Sequence, residues 1–457
     1  MSHRVAPKKV RLNADCLKLA LDWLFQGIDF SAIHFRTDCT WTVQQLLATA
    51  LLWAWTDEIT LVERFQSARS TAQYLFGGSP AGSYQAFVKM LVRWTASLCG
   101  PLQMALRRRM FTNLADCRLV AGLCVFGVDG SRVDLPRTLS NQAAYAAARK
   151  PKKKQRRSGR ASIKKNQASQ LWLTTMWHVG CGLPWDWCCG PSDSSERDHL
   201  LTMLPRLPEQ ALIAADAGFV GYRCLAAVLA SGRHLLIRVG GNVRLLKGLG
   251  YARESSGVVY LWPEKAMRRR VPPLVLRLVE SHDGKQSVYL LTDLLSKQLA
   301  DRQVIELYAR RWGVELFYRS LKQTFGRRKL RSATAENARI ELDWSLAGLW
   351  TLGLYTLVQI QRDGEPPRRL SCAQMLRCLR RTLRDQRNFC PDDRRLTKRL
   401  RSALIDDYVR GDRSSREYPR KKQESPPGRP RIIHATAAQK RAAQALRQTK
   451  PKIRLTA

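Results

Sequence analysis

LVAGLCVFGVDG, residues 119–130, is an apolar run that ends on an acid followed by glycine. A buried strand closing on Asp129 explains it, because a carboxylate at the end of such a strand is costly unless it is paired or binds a cation. Downstream, QLWLTTMWHV (170–179) and LPWDWCCG (183–190) are two further runs rich in Trp, Thr and Val. SSERDHLLTMLPRL (194–207) reads as a helix, with Ser195-x-x-Asp198 as a capping box. ALIAAD (211–216) is again an apolar strand and ends on Asp216. Three strands, a helix and a strand predict an α/β core. The near-continuous apolar runs predict a sheet covered on both faces.

Residues 13–115 carry helical periodicity in LKLALDWLF, VQQLLATALLWAW and FVKMLVRWTASLCGPLQMAL, with a turn at Gly77-Gly78-Ser79-Pro80. From 231 to 286, HLLIRV, GVVYLW and LVLRLV alternate with turns. SVYLLTDL then leads into a long helix starting near residue 299. Five regions follow: a helical region over 1–117, a first part of the core over 118–230, a β-rich insertion over 231–286, a second part of the core over 287–361, and a basic helical region over 362–457. The end of the chain, from Ser414, is rich in Pro, Arg and Lys and reads as a disordered tail.

The formal net charge is +41. A chain so charged repels itself unless a polyanion is its partner, and nucleic acid is the commonest. An anionic membrane surface is the alternative, but such proteins concentrate charge on one amphipathic helix, whereas here it is spread along the chain. The most apolar run, Trp344–Val358, is broken by Ser345, Thr351 and Thr356 and is shorter than the roughly 20 residues a bilayer needs. The basic start of the chain has no apolar segment behind it, so no secretory signal is read, and a cytoplasmic protein is expected. Twelve cysteines form no C-x-x-C pair and the seven histidines show no paired spacing, which argues against zinc. The block RKPKKKQRRSGRASIKK (149–165) contains no acid and is either a solvated loop or a DNA contact.

The stretch YARRWGVELFYRSLKQTFG (308–326) holds Tyr308, Arg311, Glu315 and Lys322. On one continuous helix, at about 100° per residue, the four fall within roughly 60° of one face. An exposed i,i+4 pair would explain Arg311 and Glu315 but not the phenol or the distant ammonium. Either Asp129 or Asp216 alone reads equally well as a turn residue or cap. Together with Glu315 they make an oxygen-only set suited to Mg²⁺ or Mn²⁺. Two such ions can serve in-line displacement at phosphorus. Asp134 and Asp293 are left outside this set.

Three blocks carry a resemblance: GVDGSRVDLP with Asp129, IAADAGFVGY with Asp216, and Y-x2-R-x3-E-x6-K as Tyr308, Arg311, Glu315 and Lys322. The pattern resembles DDE transposases of the insertion-sequence-4 family over residues 118–361. The resemblance implies a ribonuclease-H-like mixed sheet flanked by helices, with a β-rich insertion and helical terminal regions. It implies Asp129, Asp216 and Glu315 as the catalytic metal ligands, with two Mg²⁺ or Mn²⁺ ions. It further implies that Tyr308, Arg311 and Lys322 contact DNA phosphates. The implied partners are double-stranded DNA, as transposon terminal inverted repeats and target, and a second copy of the chain, with strand cleavage followed by strand transfer. The N-terminal helical region is then expected to bind transposon ends. A Trp in the insertion stacks on a flipped base in some relatives. Trp262 is the candidate here, with a buried core position as the competing reading. Without strand transfer, a ribonuclease-H-like nuclease or a non-catalytic DNA-binding derivative would share these features.

Overall fold

The computed structural model describes residues 17–78, 82–147, 169–282, 287–387, 396–406 and 428–449. The basic block 149–165 lies outside them. Residues 17–25 form α1. α2 (Val43–Trp55) and α3 (Leu61–Phe76) each start at a capping box, from Thr42 and Thr60. α3 ends at Gly77, whose positive φ of 72° terminates the helix as the Gly-Gly turn predicted. The 30-residue α4 (Tyr84–Asn113) follows.

β1 (Val125–Asp134) opens the sheet, and α5 (Leu139–Tyr145) follows it. β2 (Gln170–His178) and β3 (Leu183–Gly190) form an antiparallel pair beside β1. α6 (Glu196–Met203) starts where Ser195 accepts from the Asp198 amide, half of the expected capping box. β4 (Leu212–Ala215) pairs parallel with β1. α7 (Tyr222–Ala230) leads to β5 (His234–Val239), parallel to β4. β6 (Arg244–Lys247), β7 (Val258–Leu261), α8 (Glu264–Arg268), β8 (Leu274–His282) and β9 (Ser287–Thr292) follow. With β10 (Arg431–His434), all strands among the described residues join one mixed ten-stranded sheet, ordered β10-β6-β7-β8-β9-β5-β4-β1-β2-β3.

Two expectations change. The segment 234–239, read as the start of the β-rich insertion, is a central strand, because its backbone pairs along all of β4. An apolar strand flanked by turns has the same local pattern in either place. The chain end also differs from the disordered tail expected from Ser414. β10 (Arg431–His434) pairs parallel with β6, and α14 (Ala437–Thr449) packs Ala443 and Leu446 against Leu246, Tyr260 and Trp262. Four residues of pairing and a thin apolar stripe were hidden by the basic composition.

α9 (Asp301–Arg310) and α10 (Gly313–Arg319) replace the single long helix, and a π-helical turn over Ser320–Thr324 follows. α11 (Ala335–Gln361) is buried around its circumference. On one side Leu183 and Trp187 of β3 press on it, and a Cβ at Gly353 would come within 2.7 Å of Leu183. On the other side α2 and α4 close over it, with Trp55 Nε1 donating to Gly348 O (2.8 Å) and Trp344 Nε1 to Thr95 Oγ1 (3.0 Å). The N-terminal helices therefore share one continuous core with the sheet. A helix in such a sandwich is apolar all round without crossing a membrane. Among the described residues, no helix is long and apolar enough to do so. α12 (Cys372–Arg387) and α13 (Leu396–Arg401) pack beside α11.

Candidate active site

Val128 lies in register with Ala215 across the parallel pair β1–β4. Asp216 is the first residue past β4, and Asp129 is the next residue of β1, which runs on to Asp134 instead of closing on Asp129 as expected, so the parallel pairing sets the two acids side by side where β4 ends. Asp216 is also a local cap, its Oδ1 accepting from Gly218 N at 2.9 Å. Burial pushes the Asp129 carboxyl up to about 6. The charges of Asp216 and Glu315 act the same way, while Arg311 and the Gly130 amide oppose them. Asp216 and Glu315, distant in the chain, are both near enough for their charge to act on Asp129.

α10 is held over this centre by buried contacts. The Tyr318 hydroxyl donates to Asp129 O (2.7 Å) and accepts from Thr175 N (3.0 Å), tying α10 to β1 and β2. Gly313 lies so near β2 that a Cβ there would be 2.0 Å from Trp177. This close approach accounts for a glycine between Arg311 and Glu315. At Arg311–Trp312 the backbone stays right-handed helical but tightens to i→i−3 hydrogen bonds between α9 and α10, and a π-helical turn follows over Ser320–Thr324.

Tyr308 reaches the centre from α9, with its ring 5.5 Å from the Arg311 guanidinium. Arg311 is 8% exposed and Nη2 donates to Glu315 Oε1 at 2.9 Å. Burial works against its charge, but Tyr308, Glu315 and Asp129 hold it protonated above the usual range. Its buried Nε has no hydrogen-bond partner, a donor free for an anion. Lys322 Nζ donates to Ser131 Oγ at 2.7 Å, two residues past Asp129.

The sequence reading missed Glu196. Burial first, then Asp216 and Asp129, push its carboxyl up to about 7. A signal was available, since SSER starts a helix next to β4, but an acid in a first turn is routine. Asp293 is accounted for by His234 Nδ1 (2.6 Å) and Leu235 N (2.8 Å), and Asp134 by Gln170 Nε2 (2.8 Å). Trp262 is 4% exposed and donates Nε1 to Val271 O, so it packs the core of the far strands rather than awaiting a base.

The donor chemistry fits divalent Mg²⁺ or Mn²⁺. The acids offer oxygen only, and neither Gly130 nor Gly218 puts a side chain into the space beside them. As the side chains stand, no three His, Cys, Asp or Glu groups among the described residues form a ready ligand set. Arg311 instead supplies the positive charge on the Glu315 side.

A family model described as Transposase DDE domain matches residues 121–350, half of the chain, and the chain belongs to that family. The transposase InsG for insertion sequence element IS4 of Escherichia coli (strain K12) is 24% identical over 298 residues. That match spans 60% of this chain and 64% of the relative, less than two thirds of its length. The chain therefore carries a transposase DDE domain and is similar to an insertion-sequence transposase. A solved piggyBac transposase synaptic complex with hairpin DNA aligns over 92% of this chain and 91% of its own, at 13% identity and a TM-score of 0.40.

Proposed function

We propose that this protein is a metal-dependent DNA transposase that cleaves DNA strands at transposon ends and transfers them into target DNA. The observation that carries this reading is the delivery of Asp129 and Asp216 by neighbouring parallel strands to a centre that Glu315 also faces. In this reading Asp129, Asp216 and Glu315 hold Mg²⁺ or Mn²⁺. When bound, such ions activate the attacking water or 3′-hydroxyl and stabilise the leaving oxygen. The protein's own groups orient the phosphodiester. Arg311, with its unpartnered Nε, offers a second donor direction to a phosphate oxygen, and Lys322 adds a point charge. The Tyr308 ring packs beside the guanidinium and restricts it. The terminal inverted repeats, the target duplex and a second copy of the chain are the proposed partners, with the N-terminal helices binding the transposon ends. The charge of +41 supports a phosphate-dominated contact.

The test uses the DNA flanking the gene, cut to expose its ends, incubated with supercoiled target and Mg²⁺. Joined product is expected. Cleavage without joining would favour a nuclease instead. Glu315→Gln is expected to lower nicking on the order of 10³-fold while DNA binding, read by gel shift, persists. Undiminished nicking would remove Glu315 from the chemistry.

A further inference from the structure

The acids of the centre are not matched evenly by cations. On the Glu315 side Arg311 forms an ion pair at 2.9 Å. On the opposite side stands Glu196, the first residue of α6. α6 is pinned by Leu200 and Met203 in the core and by buried His199, whose Nδ1 lies 2.9 Å from Thr174 Oγ1. The helix thereby aims Glu196 inward. A Cβ at Gly130, the residue after Asp129, would lie 2.1 Å from Glu196 Oε1. A Cβ at Gly218, two residues after Asp216, would lie 3.5 Å from Oε2. Its carboxylate therefore fills the space between the residue after Asp129 in β1 and the turn after Asp216.

An acid at a helix start is ordinarily explained by the helix dipole, and it then points to solvent. Glu196 is half-buried instead and makes no hydrogen bond or ion pair among the described residues. The adjacent Arg197 does not neutralise it by direct contact, since its Nε donates to Gly218 O at 2.8 Å. A half-buried carboxylate facing two others without a bound counter-charge is unfavourable until a cation joins them.

We propose that Glu196 is a fourth carboxylate of the centre and holds one of its two divalent ions together with Asp129 and Asp216, on the side away from Glu315. This rests on the reading of Asp129, Asp216 and Glu315 as metal ligands. It assigns the two ions different surroundings: one position beside Glu196, where Arg197 acts through its charge without an ion-pair contact, the other beside Glu315, which Arg311 pairs directly.

Mn²⁺ titration of the full-length protein, followed by electron paramagnetic resonance, tests it without relying on activity. The wild type is expected to bind two Mn²⁺. Glu196→Gln is expected to weaken one of them by at least about tenfold and to leave the other. In metal-free buffer it is expected to melt no lower than the wild type, because a like charge has been removed; a side chain with a merely structural role would not give this pair of results. Gly130→Ala, whose methyl would displace Glu196, is expected to reproduce the Mn²⁺ loss and serves if Glu196→Gln folds poorly. Asp129→Asn is the control. If it loses Mn²⁺ while Glu196→Gln and Gly130→Ala bind like the wild type, the role of Glu196 is overturned and the centre stands. If Asp129→Asn also binds like the wild type, the reading of the centre itself falls.

Discussion

The two halves of the ten-stranded sheet are built differently. From β3 to β5 the strands sit on the large continuous core under α6, α10 and α11, and β1, β4 and β5 run parallel. From β9 to β6 they run antiparallel, and their outer part rests on a small second core closed by the chain's last helix. Every residue of the acidic centre belongs to the first half or to the helices on it. β1 and β4 run parallel with Val128 opposite Ala215, so the acid that follows each becomes a neighbour of the other where β4 ends, although β1 itself continues to Asp134. The far half contributes Arg277 at 5% exposure, with Nη2 on Leu299 O, as a tie to the segment entering α9.

This contrast can be broken experimentally. The largest effect is expected from Ala443→Asp in α14, which buries a charge in the small far core at a cost of about 2–4 kcal/mol. Hydrogen exchange should then lose protection in β6, β7 and β10 while α11 stays protected. Equal loss in α11 would mean that the halves melt as one. Gly313→Ala is expected next, because the methyl meets Trp177 with little room to give. Overpacking of this kind costs about 1–3 kcal/mol, and it should lower both thermal stability and nicking. Unaltered melting and nicking would show that α10 can shift freely. The smallest effect concerns Asp129, whose carboxyl is pushed up to about 6. A carboxyl raised by folding favours the protonated folded state. The metal-free protein should therefore lose stability as pH rises from about 4 through about 6, with Tm falling by about 2–4 °C. Asp129→Asn should reduce that slope and leave the part that Glu196, raised to about 7, contributes, and Mn²⁺ should reverse it. An identical slope in the variant would assign the effect to other groups.

Much of the centre could be read from the chain. Asp129 and Asp216 are visible because an apolar run ending on an acid is unusual in any context, and Glu315 because four residue types recur at fixed spacing. The shape of the motif was not legible. Gly313, beside the tightened turn at Arg311–Trp312, lies against Trp177, an approach across 136 residues of chain that no local pattern encodes. Likewise β5 looks like any short apolar strand until its partner is known. The ordered end, β10 and α14, is made by pairing with β6 rather than by its own composition.

By itself the sequence determined the apolar strands, their acidic ends, the spacing of the helix motif and the basic charge, because these are local in the chain. Only the tertiary structure decided that β1 runs on past Asp129, that Trp262 is a core residue, and that Glu196 turns inward onto Gly130 beside Asp129 and Asp216. Those outcomes depend on how elements far apart in the chain approach one another. Packing distances of that kind are set by the whole fold and not by any one segment.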